Sequence, residues 1–80
     1  MTEVNETHAI EVSDEAKLRW LQRVDATEPN PARRIRDELE RATATIDAAT
    51  GALRWQTDDA VLVTDARGDV VKTVLERGGA

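Results

Sequence analysis

Residues 27–31, TEPNP, divide the chain. Each proline lacks an N–H donor and crowds the turn before it, so Pro29 and Pro31 cannot both lie inside one helix. Any helix upstream stops before this point, and any helix downstream starts at it. Asn30 suits an N-cap, and Pro31 suits the first helical position, where its missing N–H costs nothing. The residues on either side bear out a helix–break–helix pattern. Upstream, Ser13 reads as an N-cap, with Asp14 and Glu15 in a first turn that favours acids. Helix one is expected from about Asp14 to Val24 or Ala26, with Ala16, Trp20 and Val24 on one stripe and Leu21 beside it. Downstream, Ile35, Leu39, Ala42 and Ile46 lie within about a 60° arc at ~100° per residue, which predicts a second helix over roughly 31–47.

The rest of the chain alternates with period two. THAIEV, 7–12, predicts a short strand with His8, Ile10 and Val12 on one face. Thr50 and Gly51 end the second helix. ALRWQT, 52–57, follows as a strand with Leu53 and Trp55 together. Residues 60–75 read as a hairpin: strand 60–65, turn Ala66-Arg67-Gly68, strand 69–75, with Gly68 supplying the positive φ of the turn. The expected order is β-α-α-β-β-β. That is an α+β domain, with two helices packed on one face of a three- to four-stranded antiparallel sheet. Residues 1–80 make a single domain, with 1–6 and 76–80 as tails. Strict alternation sets Val70 and Val74 opposite to Val71 and Leu75, and Val61 and Val63 opposite to Leu62. The hairpin is therefore apolar on both sides. Two helices cover only one side, so a homodimer across the other is expected.

Composition narrows the class. The chain has no cysteine, hence no disulfide framework and no thiolate metal site, which fits a reducing cytoplasmic setting. The start, MTEVNETHAIEV, lacks the basic and apolar regions of a signal peptide. No stretch approaches the ~20 apolar residues of a membrane span. The net charge of −5 argues against diffuse attraction to nucleic acid or anionic lipid. Basic residues concentrate between 16 and 45. There are nine arginines and only two lysines, Lys17 and Lys72. Excess acid with few lysines suits a salt-adapted (halophilic) protein or a high-GC coding bias. In high salt, diffuse phosphate attraction is screened, and anion binding falls to close, bidentate arginine contacts.

Arg33, Arg34 and Arg36 each have a carboxylate four residues on, at Asp37, Glu38 and Glu40, and Asp37 precedes Arg41 at the same spacing. These pairs predict a solvated charged helix face. In helix one, Glu15 can pair with Arg19, whereas Arg23 has no acid one turn away. It is either an anion-binding residue or an arginine snorkelling past Trp20. His8 is the single histidine and cannot make a metal site alone. Asp58 and Asp59 fit a solvated turn. Trp20 and Trp55 read as packing residues, although Trp55 beside Arg54 is suited to stack a base. No phosphate-cradling glycine loop, nucleophile elbow or zinc motif is present, and nothing asks for a cofactor.

Glu15-Ala16 followed by Arg19 and Arg23, with Thr73-Val74-Leu75 after Gly68, resembles small domains of the RelE/ParE-type toxin superfamily. Those often open with a helix carrying His-Ala-x-x-Arg-x-x-x-Arg and close on a strand with a Thr-Val-hydrophobic triplet. The order of elements matches over roughly residues 9–75. The resemblance implies RNA binding, with metal-independent ribonuclease activity either retained or decayed, and a cognate antitoxin as partner. By this resemblance Arg19 and Arg23 would hold phosphate and Thr73 would line the cleft; Arg54 and Trp55, read from their own chemistry as a stacking pair, are the further candidates for nucleic-acid binding. Glu15 stands where the pattern has histidine; it would be the base, or its presence would leave a binding module. Residues 7–46 also resemble a ribbon-helix-helix DNA-binding regulator. The outward positions of its strand would be Thr7, Ala9 and Glu11, none of them basic. The third reading is a protein-interaction module that pairs its hairpin with a partner strand.

Overall fold

The computed structural model describes residues 10–77. Its elements are β1 (Glu11–Val12), α1 (Asp14–Arg23), α2 (Pro31–Glu40), β2 (Thr43–Ile46), β3 (Leu53–Gln56), β4 (Ala60–Thr64) and β5 (Val70–Glu76). The class is α+β, with two helices and one five-stranded sheet in the order β1-β5-β4-β3-β2. His8, Thr7 and Ala9 lie outside the described residues.

The caps fall where side-chain chemistry put them. Ser13 Oγ accepts from the Ala16 N–H at 3.1 Å and also donates to the Lys72 carbonyl at 3.0 Å, so the cap of α1 is tied to β5. The Asn30 side chain accepts from the Arg33 N–H, with Pro31 at the first helical position.

Three expectations are corrected. The second helix ends at Glu40, not near 47, and 43–46 form β2. Arg41 N–H closes the helix on Glu38 O, and Ala42 N–H bonds Leu39 O. Beyond this point Thr43, Thr45 and Ile46 are β-branched, which disfavours helix, and β3 offers a ladder to pair with. Ile46 fell on the helical arc by coincidence. Second, the sheet has five strands and is mixed: β1 pairs β5 in parallel, Glu11 with Val70 and Val12 with Val71, while the other pairings are antiparallel. A ribbon-helix-helix strand would pair with its mate across a two-fold axis; β1 pairs within its own chain. Third, a bulge resets the alternation in β5. Val63 pairs Thr73 and Thr64 pairs Val71, leaving Lys72 as the extra residue. Val71 and Val74 therefore share the core face, both fully buried, instead of opposing each other.

The core lies between the helices and one half of the sheet. Trp20, Ile35, Leu62, Val71 and Val74 are its largest apolar side chains with no solvent exposure. Each such burial contributes about 1.5–3 kcal/mol. α1 packs on β5, and α2 packs on α1 and against β1. β2 runs past this cover, and all four of its residues are exposed. Among the described residues, no helix is long and apolar enough to cross a membrane.

Candidate functional site

The helix-one stripe does not form a cleft with Thr73. Glu15 lies 3.7 Å from Arg19 Nε, and Arg19 also donates to the Gln22 side-chain oxygen at 2.8 Å. The Arg23 guanidinium donates to the Val74 carbonyl at 3.0 Å in a partly buried contact. The acid that Arg23 lacks along its helix is replaced by a backbone oxygen of β5, 51 residues away in the chain. Val74 faces the helices, so Thr73, its neighbour, points to the opposite side of the sheet. Glu15 and the two arginines lie on one side, and Thr73 on the other.

Arg54 and Trp55 are parted in the same way. Trp55 packs beside the core cluster, its indole N–H donating to Thr64 Oγ1 at 3.0 Å, and Thr64 Oγ1 donates onward to Asp65 O at 2.9 Å. Arg54 faces the other side and pairs with Asp47 at 3.5 Å. The two do not present a joint platform for a base.

Of the arginines in and just after α2, Arg34, Arg36 and Arg41 serve structure. Arg34 meets Glu38 at 2.9 Å, Asp59 at 3.1 Å and Glu28 at 3.8 Å, and its guanidinium lies 5.6 Å from the centre of the Trp20 ring. The hydrogen bond to Glu38, with the surrounding carboxylates, raises the Arg34 pKa further. Arg36, expected to pair with Glu40, donates instead to the Ile10 carbonyl at 2.9 Å, and Arg41 pairs with Glu38 rather than Asp37. Arg77 donates to Thr57 O at 2.8 Å, and Arg67 pairs with Asp69. Among the described residues, only Arg33 of the nine arginines has no hydrogen bond or ion pair from its side chain. A polar cleft of about 270 Å³ opens beside Glu38, Arg41, Thr57, Asp58 and Arg77; Glu38, Arg41 and Arg77 already have partners, and Asp58 is exposed. No three His, Cys, Asp or Glu side chains among the described residues are grouped to hold a metal ion.

The opposite side of the sheet is more distinctive. The register lays Thr45, Arg54, Val63 and Thr73 in one row and Thr43, Gln56, Val61 and Leu75 in the next. Val70 continues the surface toward β1. Val61, Val63, Val70, Thr73 and Leu75 are half-buried, and no described helix covers them. The pattern of valines on both sides of the hairpin signalled this surface. The edge strand β2 was concealed by its fit to a helical arc; its run of β-branched residues was the available signal. Comparison with protein-family models, with curated proteins and with solved structures found no match.

Proposed function

We propose that this chain is a protein-interaction domain that docks an apolar segment of a partner protein on the outer face of its sheet. One observation carries the reading: Val61, Val63 and Leu75 adjoin on the outer face, with Val70 beyond Thr73 on the same strand, and among the described residues no layer lies over them. A two-layer domain buries one sheet face and leaves the other polar; an apolar outer face is a surface awaiting cover. The rim carries Arg54 and Gln56, both exposed, which favours a partner with acidic or amide groups around an apolar centre.

The toxin-like reading, RNA binding with ribonuclease activity, has in its favour the in-chain pairing of β1 with β5. Against it stands the engagement of the cations: Arg19 and Arg23 are held by Glu15, Gln22 and Val74 O, away from Thr73. A single comparison tests the two. Wild type, Val63→Lys and Arg33→Ala, each checked for fold by circular dichroism, are used to capture partners from lysate and to bind total RNA at low and high salt. The interaction reading expects a protein captured by wild type and Arg33→Ala but lost with Val63→Lys, and no RNA retention. RNA that is bound by Val63→Lys as by wild type, and released by Arg33→Ala, would replace it with the nucleic-acid reading.

A further inference from the structure

The sheet has two edges, and they differ. β1 is two residues long, too short to template much. β2 is Thr-Ala-Thr-Ile, wholly exposed, without charge, proline or bulge, the devices that usually blunt an edge. Ile46, its last residue, is 71 % exposed.

The outward backbone groups can be assigned. Asp47 N–H donates to Ala52 O at 2.8 Å, making that a hydrogen-bonded pair of the β2–β3 ladder. Antiparallel pairs alternate, so Thr45/Arg54 and Thr43/Gln56 bond within the sheet, while Ala44 and Ile46 send their N–H and C=O outward. Among the described residues nothing pairs with these groups, so each chain offers two donors and two acceptors along this edge.

We propose that β2 pairs antiparallel with β2 of a second copy of this chain, with Thr45 on the two-fold axis, joining the two sheets edge to edge. In this register Ala44 lies opposite the partner's Ile46, and all four outward groups of each copy are used. Centring the pair on Ala44 instead would set Ile46 opposite the partner's Ala42, whose N–H is already given to Leu39 O. The seam suits a copy of itself. It is uncharged, so the net charge of −5 on each chain is not concentrated there. Thr45 meets Thr45, a favourable cross-strand pair. The exposed Ile46 packs against the partner's Ala44 on the helix-bearing face of the sheet, where β2 extends past α1 and α2. At each end Thr43 faces the partner's Asp47, whose carboxylate is already paired with Arg54 of its own chain, so no unpaired charge enters the seam. The inference rests on the edge, independently of the outer-face reading above.

Because the chain has no cysteine, engineered thiols report the register directly. Across the axis, residue 45 sits ~4.5 Å from its mate, a non-hydrogen-bonded pair within reach of a disulfide. Residue 43 is four residues from its own counterpart along the seam, ~14 Å away. On mild oxidation Thr45→Cys is expected to form a disulfide-linked dimer at least tenfold faster than Thr43→Cys. Wild-type mass by sedimentation equilibrium should rise from the monomer's 8.8 kDa toward twice that as concentration goes from micromolar to millimolar. Ala44→Pro, which removes an outward N–H and no bond to β3, should abolish both effects with unchanged circular dichroism, while Val63→Lys leaves them intact. Equal cross-linking at 43 and 45, a wild-type mass that stays monomeric to millimolar concentration, or a dimer lost with Val63→Lys and kept with Ala44→Pro overturns the proposal.

Discussion

Replacing Arg34 by alanine is expected to be the most damaging change to any charged residue of this domain. Glu38 is 5 % exposed, and its Oε2 receives Arg34 Nε at 2.9 Å and Arg41 only at 3.6 Å. Without Arg34 a buried carboxylate is left with one long contact. Removing one partner of a fully buried pair costs about 3–5 kcal/mol. The Arg34 side chain is 37 % exposed, and water can partly replace it, so the lower end or less applies here. Loss of its place over Trp20 adds ~0.5–1 kcal/mol. Together these give a loss of about 2–3 kcal/mol. A domain of this size has roughly 4–12 kcal/mol in total, and the melting temperature should fall by ~10–20 °C. Urea unfolding of wild type, Arg34→Ala, Glu38→Gln and the double variant measures it. Neutralising Glu38 first should remove much of the penalty, giving a coupling energy of ~1 kcal/mol or more. The loss should be only partly screened in high salt, because Glu38 is buried although Arg34 is partly exposed. If Arg34→Ala unfolds within ~0.5 kcal/mol of wild type, or the two substitutions add without coupling, Arg34 is an ordinary surface cation and the reasoning fails.

Arg23→Ala should cost about 1–2 kcal/mol, since it removes a charge-assisted bond to Val74 O and a cation from the last turn of α1; calorimetry checks this, and RNA retention should not change. Asp65 accepts N–H groups from Asp69 and Val70 in the β4–β5 turn, which lowers its pKa below the ordinary value. A depressed folded-state value stabilises the fold above the unfolded pKa of ~3.9, and that stability disappears as pH falls through the folded value. The urea midpoint of wild type should therefore drop below about pH 4, and Asp65→Asn should show a smaller drop. Gly68 holds φ +77°, while a Cβ there would meet the Trp55 ring at an ordinary 3.5 Å. Gly68→Ala should thus cost only the ~1–2 kcal/mol of a left-handed backbone, read from a chemical melt, with Trp55 fluorescence unchanged.

Much of the local structure was legible along the chain because its causes are local. Pro29, Asn30 and Pro31 divide the helices through their own backbone restrictions, Ser13 caps its neighbour three residues on, and Gly68 supplies a turn geometry that other residues resist. The apolar stripe of α1 and the alternation in β3 and β4 give the α+β class. Periodicity misled where two patterns overlapped: Ile46 continues the arc of Ile35 and Leu39, yet Thr43, Thr45 and Ile46 pair better with β3 than they coil.

Three things were decided by tertiary structure. The bulge at Lys72 chose which valines of β5 are buried, because it depends on the register with β4 and not on β5 alone. The parallel pairing of β1 with β5 joins segments almost sixty residues apart, with no local mark on either. The partner of Arg23, which the acids of its own helix left undetermined, is a carbonyl on the last strand. Spacing along a helix reports the neighbours one turn away. Whether a cation is free or committed is settled by whatever backbone or side chain the fold brings within three ångströms, and that information lies in no single segment.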